Sequence, residues 1–329
     1  MDSHWISNVA KDDLASVIIP VYNREELVTE ALDSVFEQTY RPIEVVVVDD
    51  GSEDQTAEAI AAWSKSVSED EDFSVRYIYQ ENAGAPAARN HGSSVSQGAY
   101  IQYLDSDDLL LPEKIERGVH LIEENNVDMV YSRTVTTDMK GRRTGHCGVP
   151  FSGEPANIPS YSWHISGPLY KRSMLQSVGP WLEALTGSQD WEYCARVKLG
   201  DFDIHFDQDV GSVYRSHQDE VRVSRTSMEY DYTRSTERAY DHIYQLAVER
   251  GVKTPAFASR MGRLYFYRAL EYRNNGYERD AMRCIQKIRT CTHASDPIWG
   301  VATLCHYITH PLLTKAIQRL VDWRNQLAV

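Results

Sequence analysis

Apolar and polar positions come in blocks along the chain, and each block has the length of one secondary-structure element. A polar stretch, Met1 to Leu14, leads into Ala15 to Val21 (ASVIIPV), whose β-branched residues predict a buried strand. Pro20 lies near its end, where a missing backbone donor does least harm. Glu25 to Gln38 places Leu27, Val28, Ala31, Leu32, Val35 and Phe36 on one face of a helix. The pattern then predicts a strand at Ile43 to Val48, a helix at Thr56 to Trp63, a polar loop at Ser64 to Asp72 and a strand at Val75 to Tyr79. Pro86 suits the first turn of a further helix that ends before Gly98. Tyr100 to Leu104 is expected as a strand, Pro112 to Glu124 as a helix and Met129 to Ser132 as a strand. Strands alternating with helices predict an α/β fold, a mostly parallel sheet with helices on both faces.

Beyond that point the pattern weakens. Thr134 to Pro159, without periodicity and rich in Gly, Thr and Pro, is expected to form loops over the site. Short helices are predicted at Ser173 to Val178 and Tyr193 to Leu199, and short strands at Phe202 to Phe206 and Gly211 to Tyr214. After Arg225 the chain turns helical: Met228 to Arg250, then Phe257 to Asn274 and Tyr277 to Arg289 as a hairpin about Asn275-Gly276. A last helix, Leu312 to Leu327, is amphipathic, with Lys315, Arg319 and Arg324 off its apolar face. This divides the chain into residues 1–225, an α/β domain, and 226–329, a C-terminal helical region for packing, oligomerisation or contact with a membrane surface.

Charge sharpens that division. The net charge is -14, which disfavours non-specific nucleic-acid binding. From Thr226 onward there are 15 Lys+Arg against 10 Asp+Glu, so the acidity lies entirely in the preceding part. Five cysteines without a CxxC pair read as free thiols in a reducing compartment. No leader peptide and no spanning helix are expected, so the protein is expected in the cytoplasm, with peripheral attachment to the membrane as an option through the basic tail.

The chemistry gathers around YIQYLDSDDLLLP, Tyr100 to Pro112. An apolar run breaks into Asp105-Ser106-Asp107-Asp108, three carboxylates that repel one another unless a cation neutralises them or water solvates them. Two other loops, Pro20 to Asn23 and Asp49 to Ser52, fall at the ends of earlier strands, and in an open α/β sheet such ends share one crevice. Tyr22 offers an aromatic ring, Asp49 and Asp50 offer acceptors for a base or ribose, and Arg89 offers a cation for phosphate. Together they suggest a metal-dependent nucleotide-diphosphate site. Plainer readings compete: Tyr22 as a packing aromatic, Asp49 and Asp50 as a capping turn, Arg89 in a surface ion pair, and His91 and Arg172 as structural or solvated residues.

SVIIPVYNR, VVVVDDGSEDQT, NAGAPAARNHG, GAYIQYLDSDDLLLP and SQDWEYCAR, in that order, resemble the inverting family 2 glycosyltransferases of the GT-A (Rossmann-like) fold, over roughly Ser16 to His217. The resemblance implies a donor site of Pro20, Tyr22, Asn23, Asp49, Asp50, Arg89, Asp105 and Ser106, with a nucleotide-diphosphate sugar bound, UDP first among the nucleotides. It implies a divalent metal, Mn2+ or Mg2+, on Asp105 and Asp107 with His217 near it, and Asp190 as the general base. Gln189 stands where relatives often carry Glu, and with Trp191 it would face the acceptor, a glycan or a lipid-linked sugar of surface polysaccharide assembly. Two other functions remain in competition: a catalytically silent nucleotide-sugar-binding scaffold, and a nucleotidyltransferase, against which counts the lack of a Gly-rich, basic loop after the first strand.

Overall fold

A computed structural model describes residues 5–7, 10–67, 70–151, 153–154, 157–160, 163–216, 230–293 and 296–298. The chain divides into two compact units, one of Met1–Ser152 with Tyr161–Arg222, the other of Gly153–Ser160 with Val223–Val329.

The first unit is built on β1 (Lys11–Val21), β2 (Ile43–Asp49), β3 (Phe73–Tyr79) and β4 (Gly98–Tyr103), all parallel, in the spatial order β3-β2-β1-β4. β2, IEVVVVD, is buried along its whole length, as a strand covered on both faces must be. Because side chains alternate across a strand, Val17, Ile19 and Val21 pack with α1 (Val28–Phe36), α2 (Thr56–Ser66) and α4 (Lys114–Asn125). Ile18 turns to the other face, toward α5 (Arg172–Val178) and α6 (Gln189–Leu199), and Val46 and Val48 meet α3 (Ala85–Val95) there. α3 lies close on the sheet at Gly92, where a Cβ would meet Ile18 Cγ2 at 2.6 Å. The helices on both faces and the parallel run were legible in the pattern.

Past β4 the sheet is mixed. β8 (Pro168–Lys171) pairs antiparallel with both β4 and β6 (Met129–Asp138), and β9 (Ile204–Ser216) runs parallel to β6 and antiparallel to β5 (Leu109–Leu110). Several expectations are corrected here. Thr134 onward is not loop: β6 continues to Asp138 and pairs with β7 (Arg143–Cys147). The turn is held by the Asp138 carboxylate, which accepts from the backbone N–H groups of Lys140 and Arg142. The two short strands expected at Phe202 to Phe206 and Gly211 to Tyr214 are one strand whose register shifts midway, a bulge that interrupts the apolar alternation. β1 starts at Lys11, with Asp12 and Asp13 exposed, and α6 starts at Gln189 rather than Tyr193.

The second unit holds α7 (Tyr230–Glu249), α8 (Pro255–Asn274) and α9 (Glu278–Cys291). Thr254 caps α8 by accepting from Phe257 N at 3.2 Å, and the α8–α9 hairpin turns at Gly276 with φ +82°. Glu237 of α7 is fully buried yet held by Arg283 at 2.6 Å, Lys287 at 2.6 Å and Arg234 at 2.7 Å. Burial alone would raise its pKa, but hydrogen bonds from Arg283 and Lys287 hold the carboxyl well below its ordinary range. The expected helix at Leu312 to Leu327 lies outside the described residues, as does the boundary expected near Arg225. Among the described residues no helix is long and apolar enough to cross a membrane.

Candidate active site

The parallel register sets Val21 beside Asp49 and Ile18 beside Tyr103, so the loops after β1, β2 and β4 open into one crevice. Asn23 adopts φ +49°, its N–H donates to Ser52 Oγ at 2.9 Å, and its Oδ1 accepts from Glu53 N at 2.9 Å. These bonds tie the first loop, with half-buried Tyr22 and buried Pro20, to the second.

Asp49 and Asp50 are buried, and both carboxylates are used by the protein. Asp49 accepts from Ser52 N at 2.8 Å and from the Tyr77 hydroxyl at 2.7 Å. Asp50 accepts from Gln80 Nε2 and from the N–H groups of Ala83 and Gly84, at 2.8 to 2.9 Å. The pair therefore shapes the second loop and the entry to α3, and a nucleobase would reach Asp50 only by sharing oxygens already occupied. His91, held to be structural, lies 2.9 Å from Gln80 Oε1 through Nδ1.

The acidic loop resolves into three environments. Asp105, partly exposed, accepts from Arg89 Nη2 at 2.8 Å. Asp107 faces Arg24, with Nε 3.8 Å from Oδ2, and its carbonyl accepts from Arg215 Nε at 2.5 Å. Asp108 is fully buried; it accepts from Arg215 N at 3.0 Å and lies 3.6 Å from His164 Nδ1. Burial, then the charges of Asp107 and Asp105, push the Asp108 carboxyl well above its usual range, while burial pushes the His164 imidazole down. Ser106 is buried beside them.

Ligand atoms of Asp105, Asp108 and His164 lie within 4.8 Å of one another, a donor set that could hold a divalent cation. Asp107, expected on the metal, falls outside this group, and His217 lies outside the described residues. His164 was missed. It stands between Trp163 and Ile165 with no polar neighbour in sequence to single it out, and only the return of the chain through β8 brings it to Asp108.

On the opposite side, Asp190 occupies the first turn of α6, where the helix dipole favours a carboxylate. α6 is anchored by the buried Glu192–Arg196 pair and by Arg196 Nη1, which donates to the carbonyls of Val178 and Pro180. The Asp190 carboxyl is raised from its ordinary value, first by burial and then by the charge of Asp105, while Arg89 and His164 pull it down. Arg89 reaches across from α3: Nη1 is 3.9 Å from Asp190 Oδ1 and donates to Gln189 Oε1 at 3.2 Å. Trp191 follows, half-buried.

Two expected roles change. Arg89 is not an open cation waiting for phosphate: its side chain is 5% exposed and wedged between carboxylates and the Trp181 ring, 4.8 Å away. Arg24 and Arg215, which the sequence did not single out, are the arginines at Asp107. Arg172 is neither solvated nor at the crevice, since its guanidinium donates to Gly98 O and Ser96 Oγ in the interior.

The sequence model of glycosyl transferase family 2 matches residues 16–176. An uncharacterized glycosyltransferase of Rickettsia felis is 40% identical over 147 residues, 44% of this chain and 23% of the relative, so the chain spans less than a quarter of that protein. Among solved structures, Staphylococcus aureus TarS 1-349 in complex with UDP-GlcNAc is similar with a TM-score of 0.56 and 20% identity, over 85% of this chain and 90% of that one. A mannosyltransferase from Pyrobaculum calidifontis, PcManGT, in complex with GDP-Man and Mn2+, gives 0.52 and 18%, over 96% and 90%. At these identities the structural likeness carries the fold, that of GT-A glycosyltransferases.

Proposed function

The chain belongs to glycosyl transferase family 2, and on that premise we propose that it transfers a sugar from a nucleotide-diphosphate donor to an acceptor hydroxyl with inversion at the anomeric carbon. One observation carries the reading most: Arg89 joins Asp105, at the end of β4, to Asp190, at the start of α6, across one crevice. A donor-side carboxylate and a partly exposed acceptor-side carboxylate thus face a common space.

The nucleotide would enter between Tyr22 and Asn23 on one side and the Asp50–Gly84 loops on the other, with Asp105, Ser106 and Asp107 toward its ribose and diphosphate. Arg24, rather than Arg89, is the cation we assign to the diphosphate. A divalent ion, Mn2+ or Mg2+, fits the carboxylate and imidazole set of Asp105, Asp108 and His164, with Asp107 adjacent, and would offset charge on the departing diphosphate. Asp190 takes the proton of the acceptor hydroxyl as that oxygen bonds to the anomeric carbon; the carbon–oxygen bond to the diphosphate breaks, and the nucleotide diphosphate leaves from the opposite face. A carboxyl raised from its ordinary value is better matched to this work near neutral pH. TarS is described with UDP-GlcNAc and PcManGT with GDP-Man and Mn2+, which supports a nucleotide sugar as the donor class, with UDP the first to test. We assign catalysis to residues 1–225, and packing, oligomerisation or membrane-surface contact to 226–329, with a glycan or lipid-linked acceptor of surface polysaccharide assembly.

The test is calorimetric binding of UDP, GDP and dTDP, each with and without Mn2+. The reading expects metal-dependent binding of one of them, weakened at least about tenfold in Asp107→Ala, since a lost charge contact of this kind costs 1.4 kcal/mol or more. Absence of binding by all three would overturn the nucleotide-diphosphate site itself, and metal-dependent binding without any transfer would favour the scaffold function.

A further inference from the structure

We infer that Arg89 is a positioning residue for the base, fixing Asp190 relative to the donor-side Asp105, and is not a ligand of the donor phosphates; this rests on the glycosyltransferase reading of the site. The guanidinium is placed by four neighbours on three elements. Nη2 donates to Asp105 Oδ1 at 2.8 Å, and Nη1 donates to Gln189 Oε1 at 3.2 Å and lies 3.9 Å from Asp190 Oδ1. The Trp181 ring lies 4.8 Å from the guanidinium carbon. That ring is itself fixed, stacked on Tyr193 of α6 at 3.9 Å and 11°. The next residue on α3, Asn90, fastens the same segment, accepting from Trp181 N at 2.8 Å and donating to Trp181 O at 2.9 Å.

α3 thus holds the chain leading into α6 through two consecutive side chains, and Arg89 spans the gap between the two carboxylates. The planar fork sends Nη1 and Nη2 out in fixed directions, one to each side; an ammonium keeps the charge but as a point with freely rotating donors, and fixes neither direction. Gln189 matters for the same reason. It takes a hydrogen bond from Arg89 without a negative charge, and its Nε2 donates to Leu185 O at 3.1 Å, so the guanidinium charge is left to Asp105 and Asp190.

The experiment compares Arg89→Gln, Arg89→Lys, Gln189→Ala and Arg24→Gln with the wild type. Calorimetry gives Kd for the nucleoside diphosphate the wild type binds with Mn2+. Turnover is nucleotide release from UDP-GlcNAc or GDP-mannose to water, resolved into kcat and KM, and thermal melting monitors folding. A misplacement of about 1 Å at a reacting group costs on the order of a hundredfold. Arg89→Gln is therefore expected to keep Kd within about threefold, or tighten it as Asp105 is freed, while kcat falls about a hundredfold. Arg89→Lys, which keeps the charge without the fork, loses about tenfold in kcat, and Gln189→Ala lowers kcat at unchanged Kd. Arg24→Gln shows the reverse split, with Kd weakened and kcat less affected. Nucleotide binding weakened tenfold or more in Arg89→Gln, with kcat kept, overturns the inference alone, and so does an unchanged kcat in both Arg89→Lys and Gln189→Ala. Absence of nucleotide binding in the wild type overturns the site reading and the inference together.

Discussion

Lys114 gives a prediction whose size can be worked out. It is the first residue of α4, which follows the short strand β5 after the acidic loop, and is 3% exposed. Its Nζ meets no hydrogen-bond partner among the described residues, and its stem runs against Gly211, where a Cβ would meet Lys114 Cδ at 2.4 Å. Burial, helped by Arg117 and opposed by Asp207, pushes its pKa down to about 7. Between there and the unfolded value of about 10.4 the unfolded chain holds a proton that the native state does not. Stability therefore rises with pH across that window, because the unfolded state binds more protons. At about 1.4 kcal/mol per unit, a gap of three to four units is a penalty on the order of 4 kcal/mol at pH 7, fading toward pH 10. Lys114→Met keeps the stem and removes the amine. It should be more stable than wild type by about that amount at pH 7, several degrees in Tm for a domain of this size, with the two proteins converging near pH 10. Urea titrations of both at pH 6, 7, 8, 9 and 10 measure the difference, in which the titration of other groups cancels. A difference that does not change with pH, or a less stable Lys114→Met at pH 7, refutes the reasoning.

Asp190→Asn should leave nucleotide binding unchanged and lower turnover by about two to four powers of ten, as loss of a general base does; turnover within threefold of wild type removes Asp190 from that role. In the second unit, Glu237→Ala removes a buried carboxylate held by three cations, while Arg283 and Lys287 keep Asp280 and Asp241, and it should cost about 1 to 3 kcal/mol by denaturant titration. Because the Glu237 carboxyl is depressed when folded, its contribution is present above the unfolded pKa of about 4.3 and is lost as pH falls below it. The wild type should lose its advantage over the variant on acidification, and a constant difference down to pH 2 refutes the assignment.

What was legible in the sequence follows a physical line. Runs such as IEVVVVD report on their own burial, because a strand covered on both faces has to be apolar throughout, and the loops that end them inherit their place. β8, by contrast, is four residues, PLYK, too short to show a period. The far half of β6, RTVTTD, and its partner β7, RTGHC, are mostly polar and form no apolar run, so the pattern did not mark the hairpin. The start of α6 was missed because its first turn shows no apolar face: Gln189 and Asp190 turn toward Arg89, and Glu192 is buried only through its pair with Arg196.

The acidic loop shows what residue type alone leaves open about the arginines. Three adjacent carboxylates require neutralisation, and from sequence the candidates were a metal or water. The structure supplies protein groups instead: Arg89 for Asp105, Arg24 for Asp107, and for Asp108 burial with a raised pKa beside His164 and the Arg215 N–H. None of these partners is within ten positions of the loop, so no local pattern could announce them. A consequence bears on the cofactor. The cations that line the crevice are already matched to carboxylates before any donor enters. A diphosphate would therefore add negative charge where Arg89 already serves both Asp105 and Asp190, and where Arg24, 3.8 Å from Asp107, would have to serve the diphosphate as well. An incoming divalent cation offsets that added charge, which is the physical ground for expecting nucleotide binding to depend on metal.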